Sequence, residues 1–251
     1  MKKTSSIVAV AVMGSFVICS PAFASFHRWE INEIYSNADG TVQYIELFTT
    51  FNSQQFTIGT TIRASQGASS NDFVFPSNTP SPTGGHHLLL ATADFASLPG
   101  AVTQDFTLAD GFLFTPDGIV NYLGANSLTY GCLPTDGVLA LHCIANNGGS
   151  CTATSVAVNS PTNYAGATGS IDASGGGCTD TDSDGLCDVC DPCAGGATSG
   201  DSDADGSVDL EDFVVFESCL VGPNGGLGTS CECFDFDSDN DVDLEDYAAL
   251  Q

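Results

Sequence analysis

The residues best suited to chemistry are oxygen-bearing side chains near the C-terminus that recur at alternate positions. In the segment 201–212 they occupy positions 1, 3, 5, 7, 9 and 12, as Asp201, Asp203, Asp205, Ser207, Asp209 and Asp212, with Gly206 at position 6. Calcium binds six to eight oxygens, and a loop with this alternation around a sharp turn directs them towards one point. The backbone carbonyl of Ser207 would be the ligand from position 7. The spacing therefore predicts a Ca²⁺ site.

The same pattern recurs in the segment 235–246. Its acidic positions are Asp235, Asp237, Asp239, Asp241, Asp243 and Asp246. Asn240 replaces glycine at position 6, and asparagine is the residue that next most readily adopts a left-handed backbone. Both segments share Val-Asp-Leu-Glu-Asp at positions 8 to 12. This duplication predicts a second Ca²⁺ site, and the apolar residues Leu210, Phe213, Val214 and Phe216 after the first loop predict a packed helix.

A third acidic loop precedes these two. It places Asp180, Asp182, Asp184, Leu186, Asp188 and Asp191 at the ligand positions, where Leu186 would contribute its carbonyl, with Gly185 at position 6. Pro192 directly follows and excludes a helix there. In each loop the neighbouring carboxylates repel one another, so we expect metal binding and folding to be coupled.

The two C-terminal loops, over residues 201–251, resemble dockerin type I modules, which pair two EF-hand-type calcium loops with helices and carry Asp at position 12. The resemblance implies docking of a secreted protein to a cohesin-like or other cell-surface protein. Two features depart from it: the loops start 34 residues apart, and Leu210-Glu211 and Leu244-Glu245 stand where many dockerins carry small hydroxyl and basic residues. The segment 178–193 resembles a thrombospondin type 3 repeat, which implies a stiff calcium-dependent spacer.

The N-terminus has the features of a secretory signal peptide over residues 1–24. Lys2 and Lys3 are followed by an apolar run, Ile7–Ile18, that is too short to span a bilayer, and by the cleavage signal Ala22-Phe23-Ala24. We therefore predict a secreted protein, extracellular or on a bacterial cell surface, with no membrane span once the signal is removed. A retained membrane anchor and a lipoprotein site at Cys19 are the alternatives.

Ten cysteines remain after removal of the signal, and an even number in an exported protein predicts a disulfide framework. The sequence leaves the pairing open. The spacing of Cys187, Cys190 and Cys193 also allows a zinc or iron–sulfur site as an alternative.

Residues 25–165 predict a β-sandwich or barrel. Short apolar runs at 42–48, 87–91, 119–123 and 138–144 are separated by turn signals, and Asp39-Gly40 predicts a hairpin. The alternation of Phe56, Ile58, Thr60 and Ile62 predicts one face of a further strand. Gly- and Ser-rich stretches at 166–177 and 194–200 are predicted linkers, which separate this domain from the segments 178–193 and 201–251.

A second resemblance concerns this β domain. Trp29–Tyr35, Tyr44–Phe48 and His87–Ala91 look like the strands of lamin-tail-type domains of secreted bacterial proteins. The resemblance implies an immunoglobulin-like β-sandwich and does not imply an activity.

The composition restricts the function classes. The net charge is −27, and Arg28 and Arg63 are the only basic residues beyond the signal, which excludes nucleic-acid binding through a basic patch. GxSxG, HExxH and phosphate-binding motifs are absent from the sequence. Glu33 and Glu46 could form a paired-carboxylate site, although we favour a structural role, and His86-His87 is interpreted as the start of a strand.

The sequence favours a secreted, non-catalytic calcium-binding modular protein with a recognition or adhesion sandwich and a calcium-ordered docking module. The alternative is a secreted hydrolase or accessory protein that acts on polysaccharide and carries a dockerin-like tag. A structural surface-layer component is a third hypothesis.

Overall fold

The computed structural model describes residues 28–122, 124–174, 188, 191, 193, 200–202, 207–227 and 231–250. The predicted signal peptide, 1–24, lies outside the described residues. Over the described ranges the chain forms ten strands and two short α-helices, which confirms the prediction of a mainly β protein.

The strands are β1 (Glu30–Ser36), β2 (Gln43–Thr49), β3 (Thr61–Gln66), β4 (Ser69–Val74), β5 (His86–Thr92), β6 (Phe106–Leu108), β7 (Gly118–Tyr122), β8 (Asn126–Tyr130), β9 (Leu139–Asn146) and β10 (Cys151–Val158). The helices are α1 (Leu210–Cys219) and α2 (Leu244–Leu250), and short 3-10 turns span Asp94–Ser97 and Glu232–Phe234.

The strands form two sheets that pack as a sandwich. The larger sheet has the order β10-β9-β1-β2-β5-β6, and the smaller has the order β4-β3-β7-β8. All paired neighbours are antiparallel except β5 and β6. Buried side chains from both sheets, among them Ile34, Ile45, Leu90, Ile62 and Val120, form one shared core.

The β1–β2 hairpin sets the orientation of the side chains discussed below. The predicted turn at Asp39-Gly40 is confirmed, and Gly40 has the left-handed φ of 72° that favours glycine. Ile34 and Ile45 point into the sandwich core, whereas their neighbours Tyr35 and Tyr44 lie on the outer face of the larger sheet, where their rings stack 5.1 Å apart.

The outer face of the larger sheet is covered by residues 159–174, which we call the strap. Tyr35, Tyr44, Leu89 and Ile171 belong to one buried cluster there, and Ile171 is 2% exposed. The backbone N–H of Ala173 donates to the carbonyl of Gly137 at 2.9 Å. The chain therefore stays against the sandwich through most of the stretch 166–174, whose composition predicts a linker.

One predicted strand is wrong. The alternation from Phe56 to Ile62 suggested a single strand, but β3 begins only at Thr61, and Phe56 and Ile58 are 48% and 60% exposed. The backbone N–H of Thr60 donates to the carbonyl of Thr57 at 2.9 Å, and Gly59 has a φ of 77°. A turn therefore interrupts the alternation.

Three disulfides join described cysteines: Cys143–Cys151, Cys193–Cys233 and Cys219–Cys231. Cys132 is also disulfide-bonded. The predicted disulfide framework is confirmed for these residues. Cys193 is thereby removed from the alternative thiolate site, whose other members Cys187 and Cys190 lie outside the described residues.

Candidate metal centre

The second acidic loop, Asp235–Asp246, is described completely, and its backbone coils around its own carboxylates. Oδ1 of Asp235 accepts the backbone N–H of Asp239 at 3.1 Å, and Oδ2 accepts that of Asn240 at 3.2 Å. Asn240 has a φ of 67°, so the predicted left-handed residue at position 6 is confirmed. These local bonds turn the chain sharply enough to bring alternate side chains together.

The carboxylate at position 12 closes this loop from the helix side. Oδ1 of Asp246 accepts the N–H of Phe236, and Oδ2 accepts the N–H of Asp243, both at 2.8 Å. Asp243 in turn caps α2, because its Oδ1 accepts the N–H of Glu245 at 2.7 Å. Asp246 therefore ties positions 2 and 9 of the loop to the first turn of the helix.

The first acidic loop repeats this closure at the matching positions. Oδ1 of Asp212 accepts the N–H of Ser202 at 2.6 Å, and Oδ2 accepts the N–H of Asp209 at 2.8 Å. Asp209 caps α1 and forms a reciprocal capping box with Asp212. The duplication visible in the sequence is therefore also a duplication of structure, at least over the described part of this loop.

The second loop gathers its side-chain oxygens into two groups. Oxygens of Asp235, Asp237 and Asp239 lie within 4.8 Å of one another, and so do oxygens of Asp241, Asp243 and Asp246. The pKa of Asp239 is raised, first by loss of solvation and then by the neighbouring carboxylates, despite a bond from the N–H of Asp241. The sequence provides no Lys or Arg between residues 178 and 251 to offset this charge.

Asp241 supplies an independent sign that the loop lacks a positive partner. The residue is 3% exposed, and its Oδ2 accepts the N–H of Asn224, while its buried Oδ1 has no hydrogen-bond partner among the residues that the structure describes. A buried carboxylate oxygen without a partner costs about 1–3 kcal/mol or more. A hard cation beside the Asp241, Asp243 and Asp246 group would satisfy it, and the oxygen-only donor set fits Ca²⁺.

The other predicted ligands are described only in part. In the first loop, Asp201, Ser207, Asp209 and Asp212 are described, whereas Asp203 and Asp205 lie outside the described residues. In the third loop, Asp188 and Asp191 are described, and the remaining predicted ligands, Asp180, Asp182, Asp184 and Leu186, lie outside the described residues.

The end of the third loop is attached to the module that follows it. Asp191 is buried, and its Oδ1 accepts the N–H of Cys193 at 2.7 Å. Cys193 is fully buried and is bonded to Cys233, directly before the second loop.

A small apolar core holds the two loop–helix units together. Phe216 of α1 packs edge-on against Phe234, with ring centroids 5.5 Å apart, and both side chains are buried. Val242, at position 8 of the second loop, is also fully buried, and the Cys219–Cys231 disulfide closes the insert between the loops. The helix predicted after the first loop is confirmed as α1.

The pair Glu33 and Glu46 lies on the outer face of the larger sheet and is occupied by structural bonds. Glu33 accepts from the hydroxyl of Tyr44 and from the N–H and hydroxyl of Ser160, at 2.8 and 2.9 Å. Glu46 accepts from Asn32 at 2.6 Å and from the N–H of Thr162 at 2.5 Å. Both carboxylates thus hold the strap, as expected for the structural role.

Two histidines lie beside this pair of carboxylates, and no motif in the sequence connects them to it. Nδ1 of His87 lies 2.7 Å from Oε1 of Glu46, and Nδ1 of His142 lies 3.6 Å from Oε2 of Glu33. Burial raises the pKa of Glu33, although the bonds from Tyr44 and Ser160 act in the opposite direction. The only sequence signal was the position of these residues in adjacent strands.

No protein family model, curated protein or solved structure matches this chain. Within the described ranges, neither helix has the length and apolar character needed to cross a membrane.

Proposed function

We propose that this protein is a secreted, non-catalytic calcium-binding protein whose C-terminal residues form a calcium-ordered docking module. The observation that carries the proposal is the second loop, in which six carboxylates from one segment form two groups of three. One group contains Asp241, whose buried Oδ1 has no hydrogen-bond partner among the described residues. A dication there would offset the repulsion and satisfy that oxygen.

The chemistry of the donors favours calcium over other metals. The loop offers carboxylate and carbonyl oxygens, whereas zinc and iron–sulfur sites use thiolates or imidazoles. The described cysteines nearby, Cys193, Cys219, Cys231 and Cys233, are consumed in disulfides. Calcium tolerates irregular geometry and many ligands, whereas magnesium requires a nearly ideal octahedron and retains water.

The surface of α1 and α2 supports a docking role. Leu210 and Leu244, at position 10 of the two loops, are 80% and 73% exposed, and Val214 is 65% exposed. Glu211 and Glu245 flank the two leucines. Exposed apolar side chains with acidic neighbours suit a protein partner that presents an apolar patch with a basic rim. A cohesin-like or other cell-surface protein is the proposed partner.

The remaining parts are assigned by resemblance. We infer that residues 178–193 form a thrombospondin type 3-like calcium spacer, and that the sandwich is an immunoglobulin-like, lamin-tail-type domain for recognition or adhesion. We propose polysaccharide as a second class of ligand, and we assign its binding to the sandwich.

Isothermal calorimetry on the full chain tests the calcium proposal. After removal of metal with a chelator, we expect saturable Ca²⁺ binding with a Kd no weaker than about 10⁻³ M and much weaker binding of Mg²⁺. Asp239→Asn removes an exposed carboxylate from the first group and should weaken binding without unfolding the loop. Glu217→Gln, an exposed acid on α1 outside the loops, is the matched control. No binding at millimolar Ca²⁺, or equal loss in both variants, would refute the proposal.

A further inference from the structure

Strand β10 is an edge strand whose side chains are largely exposed to solvent. It forms one edge of the larger sheet, and every residue in it except Cys151 and Ser155 is exposed. Val156 and Val158 are 43% and 57% exposed, and Ile144 on the adjacent β9 is 64% exposed. In a covered sandwich strand alternate residues are buried, whereas the side chains of β10 are exposed on both faces, and no other described strand pairs with its outer edge.

Among the described residues, this edge has few of the usual protections. Natural edge strands are short, charged, bulged, interrupted by proline or covered, and β10 has only a register shift near its first residues. At the opposite edge of the same sheet β6 has only three residues, and in the smaller sheet the edge strand β4 carries Asp72, which pairs with Arg63 at 2.6 Å. β10 has eight residues, Cys-Thr-Ala-Thr-Ser-Val-Ala-Val, without charge, glycine or proline.

The charge distribution singles out the same region. The protein carries a net charge of −27, yet the stretch 137–171 contains no Asp, Glu, Lys or Arg. Two copies of an acidic protein repel each other over most of their surfaces. They repel least where such a stretch of one copy meets the same stretch of the other.

We propose that β10 pairs with β10 of a second copy of this chain, antiparallel and centred on Ser155, so that two six-stranded sheets join edge to edge. In this register Thr154 lies opposite Val156, Thr152 opposite Val158, and Ala153 opposite Ala157. Pairs of β-branched side chains across antiparallel strands are stabilising. The contact is isologous and closes as a dimer.

The irregularity of β10 is compatible with this pairing. Its register with β9 shifts between Cys151 and Thr154, whereas Ser155–Val158 pairs regularly with Leu139–His142. The Cys143–Cys151 disulfide fastens the irregular end to β9. In the proposed register the regular half of each copy lies opposite the irregular half of the other. The disulfide holds that irregular half against β9, so both halves offer outward backbone groups to the partner strand.

The dimer should be weak, and it would have a functional consequence. A single strand pair buries less than the roughly 1,200–2,000 Å² of stable interfaces, so we expect a Kd between about 1 μM and 1 mM. Each dimer would carry two C-terminal modules. Simultaneous docking of both would strengthen attachment by avidity without any new contact. Only this consequence rests on the proposed docking function.

Sedimentation equilibrium of the full chain over about 1 μM to 1 mM tests the pairing. The buffer contains EDTA, so that dimerisation is measured without Ca²⁺. The result can therefore be interpreted even if the calcium proposal fails. We expect concentration-dependent dimers for the natural chain. Val156→Lys should remain monomeric, because it places charges at the centre of the pairing. Val74→Lys is the matched control, since Val74 is 54% exposed at the end of the other sheet's edge strand β4.

Melting curves of both variants verify that each is folded, and hydrogen exchange locates the contact. Slower exchange of amides in 152–158 at high concentration supports the proposal. A natural chain that is monomeric at about 1 mM overturns it. So does a Val156→Lys variant that dimerises like Val74→Lys, or protection that arises only elsewhere.

Discussion

Glu33 of β1 and Glu46 of β2 lie directly opposite each other, and both of their carboxylates bind the strap that covers them. Acids opposed across two strands repel each other, and each bond to the strap offsets part of that cost. Asp105 supplies a third acidic anchor, because its Oδ2 accepts the N–H groups of Leu89 and Tyr164 at 2.8 and 2.9 Å. The strap is thus held by acids rather than by apolar contact alone.

Replacing Glu46 by Gln should loosen the strap. Asn32 donates to Oε1 of Glu46 and Thr162 donates to Oε2, whereas Gln has only one oxygen and can accept only one of these bonds. We therefore expect a loss of about 1–3 kcal/mol in the free energy of unfolding. Urea denaturation measures the loss, and limited proteolysis should show earlier cleavage within 159–174. Glu30→Gln, in the neighbouring strand β1, is the control. Equal stability of the two variants would contradict this account of the strap.

Glu33 should make stability depend on pH. Burial raises its pKa in the folded protein above the ordinary value of 4.5, so the folded state holds this proton more tightly than the unfolded state. The free energy of unfolding contributed by Glu33 is fully present below pH 4.5 and falls as pH rises through the raised folded value. Tyr44, Ser160, His142 and Glu46 are the groups that face it.

Urea denaturation at a series of pH values tests this dependence. Glu33→Gln mimics the protonated acid at every pH, so its stability relative to the natural chain should increase as pH rises. The acidic loops titrate in the same way in both chains, so their contribution cancels in the difference between the two free energies of unfolding. A difference that stays constant with pH would show that Glu33 has its ordinary pKa in the folded protein.

The Cys219–Cys231 disulfide should support calcium binding. It joins the end of α1 to the turn before the second loop, and its replacement by serines should cost the module about 2–4 kcal/mol. Because loop order and metal binding are linked, the apparent Ca²⁺ affinity measured by calorimetry should fall. Serines in place of Cys143 and Cys151, in the sandwich, form the matched control and should leave that affinity unchanged.

Leu210 and Leu244 should matter for attachment but not for metal. Both are largely exposed, so Leu210→Ser combined with Leu244→Ser should leave the melting temperature and the Ca²⁺ affinity almost unchanged. We expect a smaller fraction of the protein to be retained on cells of the producing organism, measured by quantitative blotting of washed cells. Val74→Ser, on the sandwich, is the exposed apolar control. Unchanged retention on the cells would show that the docking surface does not include these positions of α1 and α2.

Local patterns in the sequence predicted what local forces determine. Alternating acids located the loop at Asp235–Asp246, and short apolar runs at 42–48 and 87–91 located β2 and β5. The strap was not predictable, because its composition is that of a linker and its anchors are distant. Ser160 and Thr162 lie 127 and 116 residues from Glu33 and Glu46 in the chain. The surroundings of Asp241 also depend on a segment outside the loop, since Asn224 donates its N–H to Oδ2 of that residue.

The Cys193–Cys233 bond has a mechanical consequence. A load that pulls on the second loop or α2 reaches the sandwich across this covalent bridge, so the chain between the two cysteines carries no tension. The bridge spans a sequence separation of 40 residues. Under force those residues would hide roughly 130–140 Å of extended length. Stretching the oxidised protein therefore leaves the α1 unit unloaded, and only reduction of the bond would release the hidden length.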